Sequence, residues 1–475
     1  MKSNPTQETT HDELYRRLPS VNELLLTPGI ETLIQTHGRG RVLDVIRVAL
    51  ASLRDRISTT QLPAETLDLE LASLSEQIAA ILHRGSQFSL RPIINATGVI
   101  LHTNLGRAPL SESALAHIAE VARDYSNLEF DLETGERSKR DVHAERLILR
   151  VLAVPEDNMA RFGVAIVNNC AAATFLALNT LAERREVIVS RGELVEIGGG
   201  FRIPEILEKS GAVLREIGTT NRTRISDYEH AITEQTALLL RVHQSNFSIE
   251  GFVERPTLEQ VVSLAHTLGV PLFEDQGTGL LAGLDHLEIP NQPTLTNSIR
   301  TGVDLVAASG DKLLGGPQCG ILAGRSDLVA RIRKNPLLRA FRVDKLTYAA
   351  LEATLFDHLT KPTESIPIMR MLHTPADAIE QRCRTILASL PSVRLTAQIT
   401  EVVSVVGGGT APSARIKSYA LSLRHAGFNA VELLSQLRSC DPPIVARIAD
   451  EHVLLDLRTV PPHSDETIAR LLRQL

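Results

Sequence analysis

An excess of positive charge is missing: 50 Lys plus Arg stand against 56 Asp plus Glu, a formal net charge of −6. No global basic field advertises nucleic acid, so any RNA contact must be local. Cysteine is scarce and scattered, at positions 170, 319, 383 and 440, which argues against a disulfide framework and a CxxC metal site and fits a reducing cytoplasm. No stretch approaches the roughly 20 apolar residues that span a bilayer, and polar Met1–Thr10 lacks the apolar core of a signal peptide. A soluble protein without membrane partners is expected.

What is present is a chain of 475 residues, 43% hydrophobic and 22% charged, long enough for two or three domains. Residues 1–90 read as a helical module, because Val42, Ile46, Leu50, Leu53 and Ile57 recur at helical spacing, as do Leu67, Leu71, Leu74, Ile78 and Ile81. Its nine basic and eleven acidic residues lend no charge argument to nucleic-acid binding; packing or oligomerisation is the plainer role.

From 91 to 345, short β-rich runs alternate with helical ones, the pattern of parallel strands joined by crossover helices. Expected strands are 164–167, 186–190, 237–242, 270–274, 304–308 and 320–323. Beyond 345 a smaller α/β domain with a partly antiparallel sheet is expected to run to 475. Within it, Gly407-Gly-Gly409 reads as a turn or bulge, since no clear helix follows.

Ser309-Gly-Asp-Lys312 carries the sharpest chemistry, lying directly after the apolar run 304–308. In α/β sheets ligands bind at the carboxyl ends of strands, and a desolvated lysine there becomes an amine nucleophile suited to a Schiff base with pyridoxal 5′-phosphate (PLP). An isolated lysine would read as a surface turn; its neighbours reverse that. Asp275, 37 positions earlier at the end of another strand, suits the carboxylate that keeps a pyridine nitrogen protonated, with Glu274 beside it as a competitor. The junction Asn168-Asn-Cys-Ala-Ala-Ala-Thr174 offers small residues where backbone N–H groups of Asn169, Cys170 and Ala171 meet a phosphate, and Ser309 adds a hydroxyl.

Five stretches are more specific: Ser309–Gln318; Arg91–Gly98 with Leu101–Pro109; Arg191–Gly198; Gly218–Arg222; and Leu18–Leu24. Together, from about residue 14 to at least 355, they resemble the bacterial selenocysteine synthase family, L-seryl-tRNA selenium transferases of PLP fold type I. The resemblance implies that Lys312 carries the cofactor and that Arg107, Arg339 and Arg342 line a selenophosphate pocket, as guanidinium groups suit a dense anion. It implies conversion of L-seryl-tRNA(Sec) to L-selenocysteinyl-tRNA(Sec) by elimination to an aminoacrylyl-tRNA and selenium addition. It also implies a homodecamer in which the helical module holds tRNA. A related PLP lyase acting on a free amino acid or amino sugar acid is the competing reading. Without the resemblance, Arg339 and Arg342 would read as a solvated basic helix end. Gln276, where the family has an apolar residue, and Phe247, in place of a tyrosine, depart from the pattern. With tryptophan absent, the residue stacking on the pyridine is left open among His102, His243 and others.

Overall fold

The apolar repeat that starts at Val42 becomes one face of a 21-residue helix, α4 (Arg39–Thr59), with Val42, Ile46, Leu50, Leu53 and Ile57 all buried. The computed structural model describes residues 11–59, 63–86, 88–197, 200–287, 289, 292–390 and 394–475. Met1–Thr10 and Gly198 lie outside the described residues. The chain divides into two compact units, Met1–Pro92 and Ile93–Leu475.

The first unit also contains α1 (His11–Arg17), α2 (Val21–Leu25), α3 (Pro28–His37), α5 (Ala64–Ala72) and α6 (Leu74–Ser86) around a core of its own. The Leu18–Leu24 stretch is a helix start: Ser20 Oγ accepts the Glu23 N–H (3.2 Å) and Glu23 Oε2 accepts the Ser20 N–H (2.7 Å). The second repeat breaks at Ser73, whose hydroxyl turns back to the Leu69 carbonyl. After the break Leu82, rather than Ile81, enters the core.

In the second unit the described residues form a seven-stranded sheet. Its members are β1 (Phe162–Val167), β2 (Glu186–Ser190), β3 (Val213–Ile217), β4 (Thr236–Val242), β5 (Leu272–Gly277), β6 (Leu305–Ser309) and β7 (Gly320–Arg325). The order is β1-β7-β6-β5-β4-β2-β3, and β7 alone runs against its two neighbours. Alternation sends successive residues to opposite faces. Val187 and Val189, Ala165 and Val167, and Leu305 and Ala307 join a core with α9 (Cys170–Ala182). Val164, Ile166, Val306 and Ala308 join another, with α8 (Val142–Val151) and α10 (Lys345–Thr360), on which α7 (Glu112–Arg123) packs. Helices on both faces explain the near-continuous apolar runs of these strands.

The edge strand β3 is absent from the sequence expectation because two of its five residues, Arg215 and Glu216, are charged. They pair with Glu186 (3.0 Å) and Arg191 (2.9 Å), as suits an edge facing water.

Residues 395–456 supply a second sheet, β8 (Leu395–Ser404), β9 (Ile416–His425), β11 (His452–Asp456) and β10 (Arg447–Ala449), antiparallel throughout. Helices Ala376–Ala388, Ala430–Ser439 and Asp465–Leu472 share its core. Two connections stitch this region to the start of the unit. Ile94–Asn95 pairs in parallel with Ile444–Val445, and Val99 bridges Val405.

Candidate active site

Because β1, β4, β5 and β6 are parallel, their carboxyl ends fall on one edge of the sheet, and the expected chemistry collects there. Lys312 lies in the turn after β6, closed by the Gly315 N–H on the Lys312 carbonyl (3.0 Å); the Leu313 N–H ties that turn to the Thr278 carbonyl beyond β5 (2.9 Å). The lysine is 6% exposed, and burial holds its pKa below the ordinary amine value. Nζ donates to the Gly409 carbonyl (3.3 Å).

Asp275 and Glu274 are neighbours on β5 and face opposite ways. Asp275 Oδ2 accepts from Thr174 Oγ1 (2.9 Å), and the Cys170 thiol donates to Oδ1 (3.6 Å). A carbon built on Gly277 would lie 3.6 Å from Asp275 Oδ1 and 4.0 Å from Lys312 Nζ, so carboxylate and amine border one space. Glu274 turns to Ser298 and Arg241 instead. Burial pushes the Asp275 carboxyl up, while Thr174, Lys312 and Cys170 pull it back. Burial likewise keeps the Cys170 thiol protonated, a donor and not a nucleophile.

Asn169 is the N-cap of α9, its Oδ1 accepting the Ala172 N–H (2.9 Å). That leaves the Cys170 and Ala171 N–H groups to emerge from the helix end. Ser309, 5% exposed at the end of β6, closes the set beside Cys170.

Arg107, held at φ +62°, joins the group through Asp311: Nη1 is 2.6 Å from Oδ2 of this buried carboxylate, one residue before the lysine. Arg339 and Arg342 are elsewhere. Arg339 is exposed, and Arg342 lies 3.6 Å from Glu129, which also holds Arg137 and Arg140. Their segment nevertheless reaches α9, because the Phe341 carbonyl accepts the Asn168 N–H (2.8 Å). A cleft of about 800 Å³ lined by His117, His143, Arg146 and Phe356 holds none of these residues.

Sequence reasoning left several participants without a role. Thr174 touches Asp275 and Asp311 holds Arg107, yet nothing in their spacing marks them. Gln276 is 1% exposed; its Oε1 accepts the Thr278 and Gly279 N–H groups (both 3.1 Å), so a polar residue at the departing position builds the turn against which Lys312 packs. The Gly407–Gly409 stretch, read as a plain turn, reaches Lys312 itself. Glu193 in the Arg191 motif is buried and accepts the Val242 N–H (3.1 Å), supporting the strand beside Asp275.

These groups fit PLP: a desolvated amine and a buried carboxylate border one space, a helix end offers N–H groups, and among the described residues the buried His102 Nδ1 lacks a partner. The family model for L-seryl-tRNA selenium transferase matches residues 93–461, and that for the selenocysteine synthase N-terminal domain matches 15–54. The chain belongs to the L-seryl-tRNA selenium transferase family. It is 46% identical over 391 residues to a protein of Aquifex aeolicus named L-seryl-tRNA(Sec) selenium transferase, covering 82% of this chain and 84% of that one. A protein of the same name from Geobacter metallireducens is 42% identical over 469 residues, covering 97% and 99%. Among solved structures, D-glucosaminate-6-phosphate ammonia-lyase superposes with a TM-score of 0.55 at 21% identity, over 81% of this chain and 95% of that one, which shows a shared fold. As a member of this family the chain is a PLP enzyme of fold type I. No helix among the described residues is long and apolar enough to cross a membrane.

His243, next along the chain from β4, donates its N–H to the Asp275 carbonyl (3.0 Å). Burial pushes its imidazole down to about 4 from 6.5, aided by Lys312, Arg241 and Arg255 and opposed by its contact with the Thr410 carbonyl. The folded value lies below the unfolded one, so the unfolded chain takes up the proton first. The stability contribution is complete above 6.5 and is lost as pH falls toward about 4. The melting temperature of the cofactor-free protein should therefore fall more steeply across that window than that of His243→Gln, as calorimetry measures. Parallel profiles would contradict it.

Proposed function

We propose that this chain converts L-seryl-tRNA(Sec) to L-selenocysteinyl-tRNA(Sec), taking selenium from selenophosphate. The observation that carries the reading is the shared space between Lys312 Nζ and Asp275 Oδ1 at the sheet edge, in a chain 40–46% identical to proteins named for that transfer. When bound, PLP supplies an electron sink for the pair left at the seryl Cα.

Lys312 holds the cofactor and, once released, removes the Cα proton; burial lowers its pKa, which favours the neutral amine this step needs. Asp275 keeps a proton on the pyridine nitrogen; Thr174 and Cys170 fix the direction of its oxygens. The N–H groups of Cys170 and Ala171, with Asn169 as cap and Ser309 beside them, take the cofactor phosphate. Arg107, anchored by Asp311, meets the donor anion near the lysine. Arg339 and Arg342, reachable from solvent beside the start of α9, gather it from outside.

The helical unit before Ile93 is read as the tRNA holder, within a cytoplasmic homodecamer; it has a core of its own. The test is to incubate the purified protein with selenophosphate and with seryl-tRNA of the selenocysteine and serine isoacceptors. Selenocysteinyl product on the first alone is expected, and no product on either defeats the proposal. A chain lacking residues 1–92 should keep the cofactor's visible absorbance yet lose conversion; full conversion would remove the tRNA role from that unit.

A further inference from the structure

Three successive glycines, Gly407, Gly408 and Gly409, have φ of +74°, +59° and +62°. Consecutive residues in turns of this kind swing neighbouring N–H groups to one side, making an anion-binding concavity. Among the described residues, the N–H groups of Gly407, Gly408, Gly409 and Thr410 meet no acceptor, although Thr410 is only 1% exposed. Buried donors left unpaired cost free energy, so an acceptor from outside the chain is called for.

The back of this loop is closed. A Cβ on Gly407 would stand 2.5 Å from Val99 Cγ1, and one on Gly408 2.8 Å from the Leu101 carbonyl oxygen. Its front is open: a Cβ on Gly409 would have Ser245 Oγ as its nearest neighbour, at 3.5 Å. Ser245 is 3% exposed, and among the described residues its hydroxyl has no hydrogen-bond partner. Lys312 Nζ reaches the same loop at the Gly409 carbonyl (3.3 Å).

We propose that the Gly407–Thr410 backbone and the Ser245 hydroxyl form the inner seat of a small tetrahedral oxyanion, the phosphoryl end of the group donor, directly beside Lys312. This rests on the selenium-transfer reading and deepens it. Arg339 and Arg342, within reach of solvent, gather the anion and Arg107 meets it near the lysine, while neutral donors seat its phosphoryl end next to the amine. A seryl ester carbonyl would also accept N–H donors. One carbonyl oxygen, however, has two lone pairs, fewer than the four N–H groups and one hydroxyl gathered here.

The experiment titrates inorganic phosphate into the PLP-loaded protein by calorimetry, without tRNA, so it reads the seat whether or not selenium transfer occurs. In Ser245→Ala the phosphate Kd should rise about 2-fold to 10-fold, the worth of one neutral hydrogen bond. Gly409→Ala places a methyl group in the open front and should raise it further, by about 10-fold or more. The cofactor's visible spectrum, unchanged in both, verifies that the site is intact; if Gly409→Ala does not fold, Ser245→Ala decides alone. Absence of phosphate binding in the parent, or an unchanged Kd in the variants, overturns the proposal. An unchanged Kd with a raised KM for seryl-tRNA also overturns it and assigns the donors to the ester carbonyl.

Discussion

Lys312→Ala loses the visible absorbance of the lysine-bound cofactor, and turnover of seryl-tRNA falls by on the order of 10⁴-fold, since one residue supplies both the covalent anchor and the proton acceptor. The fold is expected to survive. Burial lowers the amine's pKa, so the folded value lies below the unfolded one and a charged Lys312 costs stability at every pH below its ordinary value of 10.5. Removing it relieves that cost, and the cofactor-free variant should melt no lower than the cofactor-free parent. The measurements are an absorbance spectrum, a single-turnover assay and a melting curve. Retention of the parent spectrum would remove Lys312 from its role.

Asp275→Asn should cut turnover by roughly 10² to 10³, the usual cost of deleting one electrostatic partner at a reacting centre. An amide oxygen can still accept from Thr174, so folding and phosphate anchoring of the cofactor should persist. Rapid-quench kinetics alongside a cofactor-binding titration separates the two effects. Parent-like rates would mean that another group protonates the ring. Glu274 is poorly placed for that, because its side chain is committed to Ser298 and Arg241 on the opposite face of the sheet.

The sequence made the central strands legible because parallel strands covered on both faces must be apolar throughout, and 186–190, 237–242 and 320–323 each fall inside an observed strand. The edge strand Val213–Ile217 escaped because charges at its surface break that pattern. The break at Ser73 escaped because helical periodicity runs across it. At the candidate site, Lys312 and Asp275 stood out because the chemistry they suit demands a particular residue type at a strand end. Thr174, Asp311 and Ser245 did not, since a hydroxyl or carboxylate that acts by touching a neighbour distant in sequence leaves no local signature. The role of Gly407–Gly409 depends on backbone dihedrals and on a lysine 97 residues away, as far from periodicity as a signal can be.

The parallel pairing of Ile94–Asn95 with Ile444–Val445 sets an order on biosynthesis. A nascent chain can complete β1 to β7 once residue 325 has left the ribosome, with strands close enough in sequence to find one another. The early segment at residue 94 must wait, its backbone groups without partners, until some 350 further residues have been made. The Gly409 carbonyl that meets Lys312 arrives in the same late interval. Chains released early would therefore carry a finished central sheet and an unfinished catalytic pocket, with an unpaired strand that a chaperone or a protease can recognise.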